Sequence, residues 1–180
     1  MSVYTNPSNS TAEETAAYVA ALLDLLGTQD PIAVLAATPD AAASAISNMS
    51  EARLRQPEKP GKWSVAQVLQ HLADSEIVFS WRLRLILAQD RPTLTGYDQD
   101  QWAQRLGYGE ADAMTALQIF RALRHENLRL LRRASPADLK RVGIHSERGE
   151  ESIEHLRKLY AAHDLLHLKQ IARVRVAVGG

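Results

Sequence analysis

Cysteine is absent from this chain of 180 residues. Without it there can be no disulfide framework, no thiolate zinc site and no cysteine nucleophile. A bound metal ion would therefore need histidine, carboxylate or main-chain oxygen ligands.

An excess of charge of one sign is also lacking, because 21 Lys and Arg residues balance 21 Asp and Glu residues. Nucleic-acid binding needs a basic excess to neutralise phosphates, so the composition argues against such a partner. Long apolar runs are missing too: residues 16–26 include Asp24 and are too short to span a bilayer. Residues 1–11 lack the basic and apolar segments of a secretory signal. We therefore expect a cytoplasmic protein with a small-molecule partner and no membrane or nucleic-acid partner.

Apolar residues recur at helical spacing, and no stretch shows the alternation typical of a strand. The spacing predicts an all-α four-helix bundle in a single domain, residues 1–180, with a flexible N-terminus at residues 1–10. The predicted long helices cover residues 10–27, 64–88, 110–134 and 150–176. Pro31 opens a shorter helix that we expect Pro39 to interrupt, with a further helical piece at residues 40–49.

The connections between these helices are predicted to be loops, at residues 56–62, 91–109 and 141–149. The one at 91–109, in which we expect one helical turn at 99–105, is long enough to cross the bundle. It therefore allows an up-down-down-up topology with a long crossover between helices 2 and 3, although it does not require it.

Two histidines lie in the middle of the apolar stripe of the last helix. His163 and His167 are four residues apart, so both rings can reach one metal ion. The alternative is a pair of core histidines whose nitrogens find other hydrogen-bond partners. The pair alone leaves both interpretations open.

A third histidine favours the metal site. His71 lies in the second turn of the helix that Ser64 caps, on the inner shoulder of its apolar stripe. Three histidines leave coordination positions open, as in catalytic rather than structural metal sites. Of the others, His155 is predicted at the surface, His125 outside the inner face of its helix, and His145 in a loop.

Three further polar residues fall on apolar faces. Arg124 and Asn127 lie on the inner face of the third long helix, and Gln170 lies one turn beyond His167. A buried arginine needs an anion or several acceptors. Arg124 is thus either paired with Asp or Glu, extended to the bundle end, or in contact with a substrate or the metal ligands.

Three segments carry a resemblance to a known family. Residues 63–76 read WSVAQVLQHLADSE, residues 162–171 read AHDLLHLKQI, and residues 97–102 read YDQDQW. Each is similar to a motif of the DinB superfamily, and the three occur in the family's order. The resemblance is good from residue 63 to residue 176 and looser before that.

The resemblance implies a DinB-like bundle in which His71, His163 and His167 bind a divalent ion: nickel, zinc, or iron or manganese. It also implies a homodimer. Family members include transferases and isomerases that use a low-molecular-weight thiol, and proteins named as metal-dependent hydrolases. We expect transfer of a low-molecular-weight thiol to an electrophile, with a metal-dependent hydrolase or a non-enzymatic, stress-related metal-binding bundle as alternatives.

Two details follow for the site. Hydrolysis would need a general base, for which Asp74, Glu76, Asp98 and Asp100 are available. The loop from Tyr97 to Trp102 either lies at the mouth of the site or is anchored in the core by Trp102.

Overall fold

The structure is a computed structural model that describes residues 11–179. The predicted flexible segment at residues 1–10 lies outside the described residues. The described helices are α1 (Ala12–Leu26), α2 (Pro31–Ile46), α3 (Glu51–Arg55), α4 (Val65–Ala88), α5 (Gln99–Arg105), α6 (Ala113–Arg133), α7 (Pro136–Leu139) and α8 (Ile153–Ala177). The described strands are β1 (Thr93–Leu94), β2 (Val142–His145) and β3 (Gly149–Ser152).

Capping residues set the helix starts close to where the sequence predicts them. Thr11 with Glu14, and Ser64 with Gln67, form complete capping boxes at α1 and α4. α8 begins at Ile153 rather than near residue 150, because residues 149–152 pair as a strand. α6 begins at Ala113 rather than near residue 110, because residues 108–110 form a 3₁₀ turn.

Helices α2, α4, α6 and α8 form the bundle. One core cluster joins the first half of α4 to the first half of α6 and to the ends of α2 and α8. The other joins the second half of α4 to the second half of α6 and to the start of α8. α4 and α6 are therefore parallel to each other and antiparallel to α2 and α8. This confirms the predicted up-down-down-up bundle, with residues 89–112 as the crossover, but its first helix is α2 and not the predicted long helix at residues 10–27, which forms α1.

The predicted break at Pro39 is wrong, because α2 runs through this proline without interruption. A proline inside a helix leaves the carbonyl four residues earlier without its usual N–H partner. That carbonyl belongs to Leu35, and it accepts a hydrogen bond of 2.8 Å from Arg124 Nη1 on α6. α2 is consequently a full bundle helix, whereas α1 packs on the outside against α8.

The lack of strand alternation in the sequence predicts no sheet beyond a stray pair of short strands, and this prediction is also wrong. β2 and β3 form an antiparallel hairpin, and β1 from the crossover adds in parallel to β2. The predicted loop at residues 141–149 is therefore mostly strand, and His145 lies on β2. Strands of two to four residues are too short to show alternation, and their pairing joins segments about 50 residues apart.

The apolar residues of the long helices are concentrated on the faces that form these two clusters. Among residues 11–179, no single helix is both long and apolar enough to cross a membrane; only α1 and α2 taken together, bent by 83°, meet that test of length and composition.

Candidate metal centre

The bundle brings the three predicted histidines together. His71, in the second turn of α4, faces His163 and His167 in the middle of the antiparallel α8. His71 Nε2 lies 3.0 Å from His163 Nε2, which lies 3.1 Å from His167 Nε2. Among the described residues, no other group of three or more His, Asp or Glu side chains lies close enough together to hold one ion.

The donor set fits a divalent cation. Imidazole nitrogens that share a zinc-like ion at about 2.0–2.1 Å must lie roughly 3 Å apart, as His163 Nε2 does from each of the other two Nε2 atoms. His167 Nδ1 is 2.8 Å from Gln170 Oε1 and donates to it, which leaves the His167 Nε2 lone pair directed at the cluster. Gln170, singled out in the sequence as a polar residue on an apolar face, thus orients a candidate ligand.

Hydrogen bonds between the rings would satisfy this cluster poorly. Each neutral imidazole has one donor and one acceptor nitrogen, and three Nε2 atoms that meet cannot all be paired with one another. Nδ1 of His71 and Nδ1 of His163 are buried without a hydrogen-bond partner in the described structure. The alternative of core histidines satisfied by hydrogen bonds is therefore the weaker interpretation.

All three rings are held in the neutral form that can bind a metal. Burial lowers the pKa of His163 to about 4, and the Arg124 guanidinium adds to this effect. Burial and the neighbouring rings lower the pKa of His71 and of His167 well below the ordinary value. Near neutral pH each ring consequently keeps one nitrogen without a proton, as a metal ligand must.

A short polar chain connects the cluster to the crossover loop. Ser75, one turn after His71 on α4, has its Oγ 3.4 Å from His71 Nε2 and 2.9 Å from the Tyr97 hydroxyl. Trp102 is half-buried and packs on Tyr97 with ring centroids 4.5 Å apart. Of the two expectations for the loop at residues 97–102, the position beside the site is confirmed.

Three of the four carboxylates considered as general bases are engaged elsewhere. Asp74 accepts from the Tyr108 hydroxyl at 2.6 Å and from Gln70 Nε2 at 3.0 Å. Asp98 caps α5 through the N–H groups of residues 100 and 101, and Asp100 is exposed on that helix. Glu76 belongs to the ionic network that underlies the site.

That network explains Arg124 and Asn127. Arg124, 1% exposed, donates to both oxygens of Glu76 at 3.0 and 2.8 Å and to both oxygens of Asp164 at 2.5 and 3.1 Å. Asn127 Nδ2 donates at 2.7 Å to Glu76 and at 2.7 Å to Ser80. Of the interpretations left open for Arg124, the carboxylate pair is therefore confirmed. Because Asp164 follows His163 directly, the network also fixes α8 at the cluster.

The remaining histidines differ from expectation at two positions. His125 is exposed, as predicted, whereas His155 is half-buried rather than at the surface. His145 is 2% exposed, and its Nε2 lies 3.1 Å from Arg82 Nη2. Burial and the charges of Arg148 and Arg82 lower the pKa of His145 to about 4.

A cleft opens beside His163, between α1, α4, α8 and the small sheet. Its lining includes Ser75, Arg82, Tyr97, His145 and Tyr160 in addition to His163. Arg82 was missed in the sequence, although its position carries a signal: it follows His71 by eleven residues, or about three helical turns, and so shares its face.

Comparison with known proteins identifies the family in which this site occurs. The family model described as the DinB superfamily matches residues 35–171, which contain all three histidines. The chain belongs to the DinB superfamily. One relative of this DinB protein, from Oceanobacillus iheyensis, is 32% identical over 126 residues, covering 70% of this chain and 73% of the relative. YfiT of Bacillus subtilis is 29% identical over 149 residues, covering 82% and 84%. Both carry the provisional name of metal-dependent hydrolase.

A solved structure supports the same assignment for the whole fold. It is YfiT of Bacillus subtilis, described as a probable metal-dependent hydrolase with an unusual four-helix bundle topology. The two structures superpose with a TM-score of 0.75 at 25% identity, covering 97% of this DinB protein and 94% of YfiT.

Proposed function

We propose that this DinB protein is an enzyme that depends on a divalent metal ion held by His71, His163 and His167. The observation that carries the proposal is the convergence of three imidazole Nε2 atoms beside an open cleft. The names of its relatives agree with it, because they describe metal-dependent proteins.

Catalysis is favoured over a purely bracing role by the number and position of the ligands. Structural zinc sites usually have four protein ligands, whereas catalytic sites keep a position free for substrate. Three side chains form this cluster among residues 11–179, and His163 is partly exposed where it lines the cleft. A substrate could therefore approach the cluster from the cleft.

The favoured reaction is transfer of a low-molecular-weight thiol to an electrophile. A divalent ion at such a site supplies a nucleophile near neutral pH by lowering the pKa of a bound water or thiol. A thiol starts from a much lower pKa than water, so its activation depends less on a carboxylate base. Asp74, Glu76 and Asp98 are all engaged in other hydrogen bonds, which agrees with this choice.

Hydrolysis is the second candidate, and the names of the relatives favour it. In that reaction Glu147 is the candidate general base, because it is an exposed carboxylate at the rim of the cleft that His163 lines.

We also propose the homodimer that the family resemblance implies. Light scattering should then give twice the 19.9 kDa mass of one chain.

Metal analysis tests the site. Protein purified without a nickel column should contain one divalent ion per chain, and calorimetry with zinc and nickel should show one site. Replacing any one of the three histidines with Ala should weaken binding by more than about 100-fold, because two imidazoles alone hold a divalent ion poorly. His125→Ala, an exposed histidine on α6, is the matched control and should bind like the parent. Equal affinity in the triple Ala variant would refute the site.

The reaction class is tested on the metal-loaded protein. Thiol transfer predicts consumption of an electrophile such as 1-chloro-2,4-dinitrobenzene that requires both the ion and an added thiol. Hydrolysis predicts ester or amide cleavage without a thiol, and a loss of that activity in Glu147→Gln. If the fully loaded protein shows neither activity, that result would favour the non-enzymatic bundle.

A further inference from the structure

Arg82 differs from the buried Arg124 and the half-buried Arg148 in its charge compensation. Arg124 pairs with Glu76 and Asp164, and Arg148 forms a two-pronged ion pair with Glu151 at 2.6 and 3.0 Å. Arg82 is 5% exposed and has no carboxylate within ion-pair distance among residues 11–179; Glu151, which pairs with Arg148, acts on it only from further away. Burying a charge without a counter-ion is unfavourable, so this position is unusual for a purely structural residue.

The partners of Arg82 are neutral and leave hydrogen-bond donors unused. Its Nη2 donates to Thr95 O at 2.6 Å and faces His145 Nε2 at 3.1 Å, and its Nη1 donates to the Tyr160 hydroxyl at 3.4 Å. Its Nε is buried with no partner within the described residues. Arginine offers five N–H donors in a planar fork, of which at most three are used here.

His145 adds to this surplus of donors. Its Nδ1 accepts the N–H of Glu147 at 3.1 Å, while its Nε2 faces the Arg82 guanidinium. A neutral imidazole can accept at one nitrogen only, so one of the two contacts sets a donor against a donor. An anion in the cleft would provide the acceptors that this group lacks.

The position of Arg82 connects it to the metal centre. His71, Ser75 and Arg82 follow one face of α4, and Tyr160, His163 and His167 follow the facing stripe of α8. The contact between Arg82 and Tyr160 joins these two rows of polar side chains one helical turn from His163. Arg82 and His163 both line the same cleft, so one small molecule could contact both.

We propose that Arg82 is the anion-binding residue of the substrate site, and that the substrate is a small molecule with a carboxylate. A carboxylate suits the two-pronged fork of one guanidinium. A phosphate dianion would be less well compensated, because Glu151 already neutralises the neighbouring Arg148 and Glu147 adds negative charge at the rim. Relevance to the reaction rests on the proposed function, whereas anion binding itself does not need the metal.

The first experiment uses the full-length protein without metal, stripped with 1,10-phenanthroline because that chelator is uncharged. Calorimetric titration with succinate should show saturable binding, and its uncharged analogue succinamide should bind at least about tenfold more weakly. Arg82→Gln should weaken succinate binding by a similar factor, while Arg132→Gln, an exposed arginine at the end of α6, should not. Circular dichroism establishes that the variants are folded.

Several outcomes would overturn this assignment. Equal binding of succinate and succinamide by the parent would do so without any variant. Unchanged succinate binding in folded Arg82→Gln would do so too, as would binding of inorganic phosphate tenfold tighter than succinate. Arg82→Lys keeps the charge but loses the fork, so it should bind succinate with intermediate affinity; parent-like affinity there would contradict the two-pronged contact.

The second experiment asks whether one molecule reaches both groups. Cobalt-loaded protein is titrated with 6-mercaptohexanoate and with its uncharged amide, followed by absorbance of the cobalt. The acid should bind at least about tenfold more tightly than the amide in the parent, and this advantage should vanish in Arg82→Gln. No advantage in the parent would separate the anion site from the substrate site. Failure of the chain to bind cobalt would refute the proposed function and leave the metal-free result standing.

Discussion

Arg124 and Arg82 are both buried guanidinium groups on inward-facing stripes, yet their surroundings differ. Arg124 touches two carboxylates, and each of its nitrogens donates to an acceptor. Arg82 touches a carbonyl, a hydroxyl and an imidazole, and its Nε has no partner among residues 11–179. Complete compensation within the protein is typical of a structural role, since nothing is left for a ligand to do. Incomplete compensation beside a cleft is what a binding residue requires before its ligand arrives.

The largest effect should come from removing each arginine in turn. Arg124→Met leaves Glu76 and Asp164 buried without a cation and should lower the free energy of unfolding by about 3–5 kcal/mol. Arg82→Met removes a charge that has no counter-ion and should change it by no more than about 1 kcal/mol, since only ordinary hydrogen bonds are lost. Urea denaturation of both variants measures the difference. Equal losses would end the distinction between the two sites.

Low pH should destabilise the metal-free protein through the buried ring of His163. The folded-state pKa of His163 is about 4, below the ordinary 6.5, so the unfolded chain binds the proton first. The contribution of the neutral His163 ring to the free energy of unfolding is complete above pH 6.5 and is lost as the pH falls towards 4. The loss amounts to about 3 kcal/mol. Unfolding of the metal-free parent and of His163→Gln, measured from pH 7 to pH 4.5, should show a shallower pH dependence in the variant. Parallel curves would contradict the buried neutral ring.

Metal should stabilise the histidine cluster and leave the Arg124 network as it is. Zinc at about 100 times its dissociation constant should add about 2.7 kcal/mol to the free energy of unfolding. The same addition should stabilise His125→Ala equally and His71→Ala hardly at all. Thermal or urea unfolding with and without zinc checks this, and a zinc effect that survives in His71→Ala would place the ion elsewhere.

The smallest effect concerns the backbone acceptor of the Arg124 network. Pro39→Ala restores an N–H that would share Leu35 O with Arg124, so the usual advantage of Ala over Pro, about 3 kcal/mol, should shrink to about 1 kcal/mol. Urea denaturation of the variant measures the gain. A gain of the full 3 kcal/mol would show that Arg124 does not compensate the missing N–H.

The sequence predicts the parts of this molecule that depend on helical period. The bundle and the inward positions of His71, His163 and His167 follow from residues three, four or seven apart on one face, and the family resemblance implied that the three form one site. Arg124 and Asn127 were visible as anomalies for the same reason. Their partners were not assignable, because Glu76 and Asp164 lie on other helices, and helical period does not say which residues meet across a bundle.

What sequence reasoning missed depends on contacts between distant segments. His145 was assigned to a loop because β2 exists through its pairing with Leu94 and with the hairpin strand, not through a local pattern. Arg82 was overlooked although it shares a face with His71, since a long charged side chain on a helix is usually solvated. Its importance is visible only when its hydrogen-bond partners are seen to be neutral and no ion pair is found for it among residues 11–179.

The proline in α2 has a consequence for how the bundle is aligned. Helices can slide past or rotate against one another at modest cost when only apolar side chains meet. In α2 the buried carbonyl of Leu35, left without its intrahelical N–H partner by Pro39, accepts a hydrogen bond from the guanidinium of Arg124. A shift of α2 by one residue would present a carbonyl that is already bonded within its own helix. Pro39 thereby selects one register of α2 against α6. Because Arg124 also binds Asp164, the same contact fixes the position of α8 along the bundle axis at the three histidines.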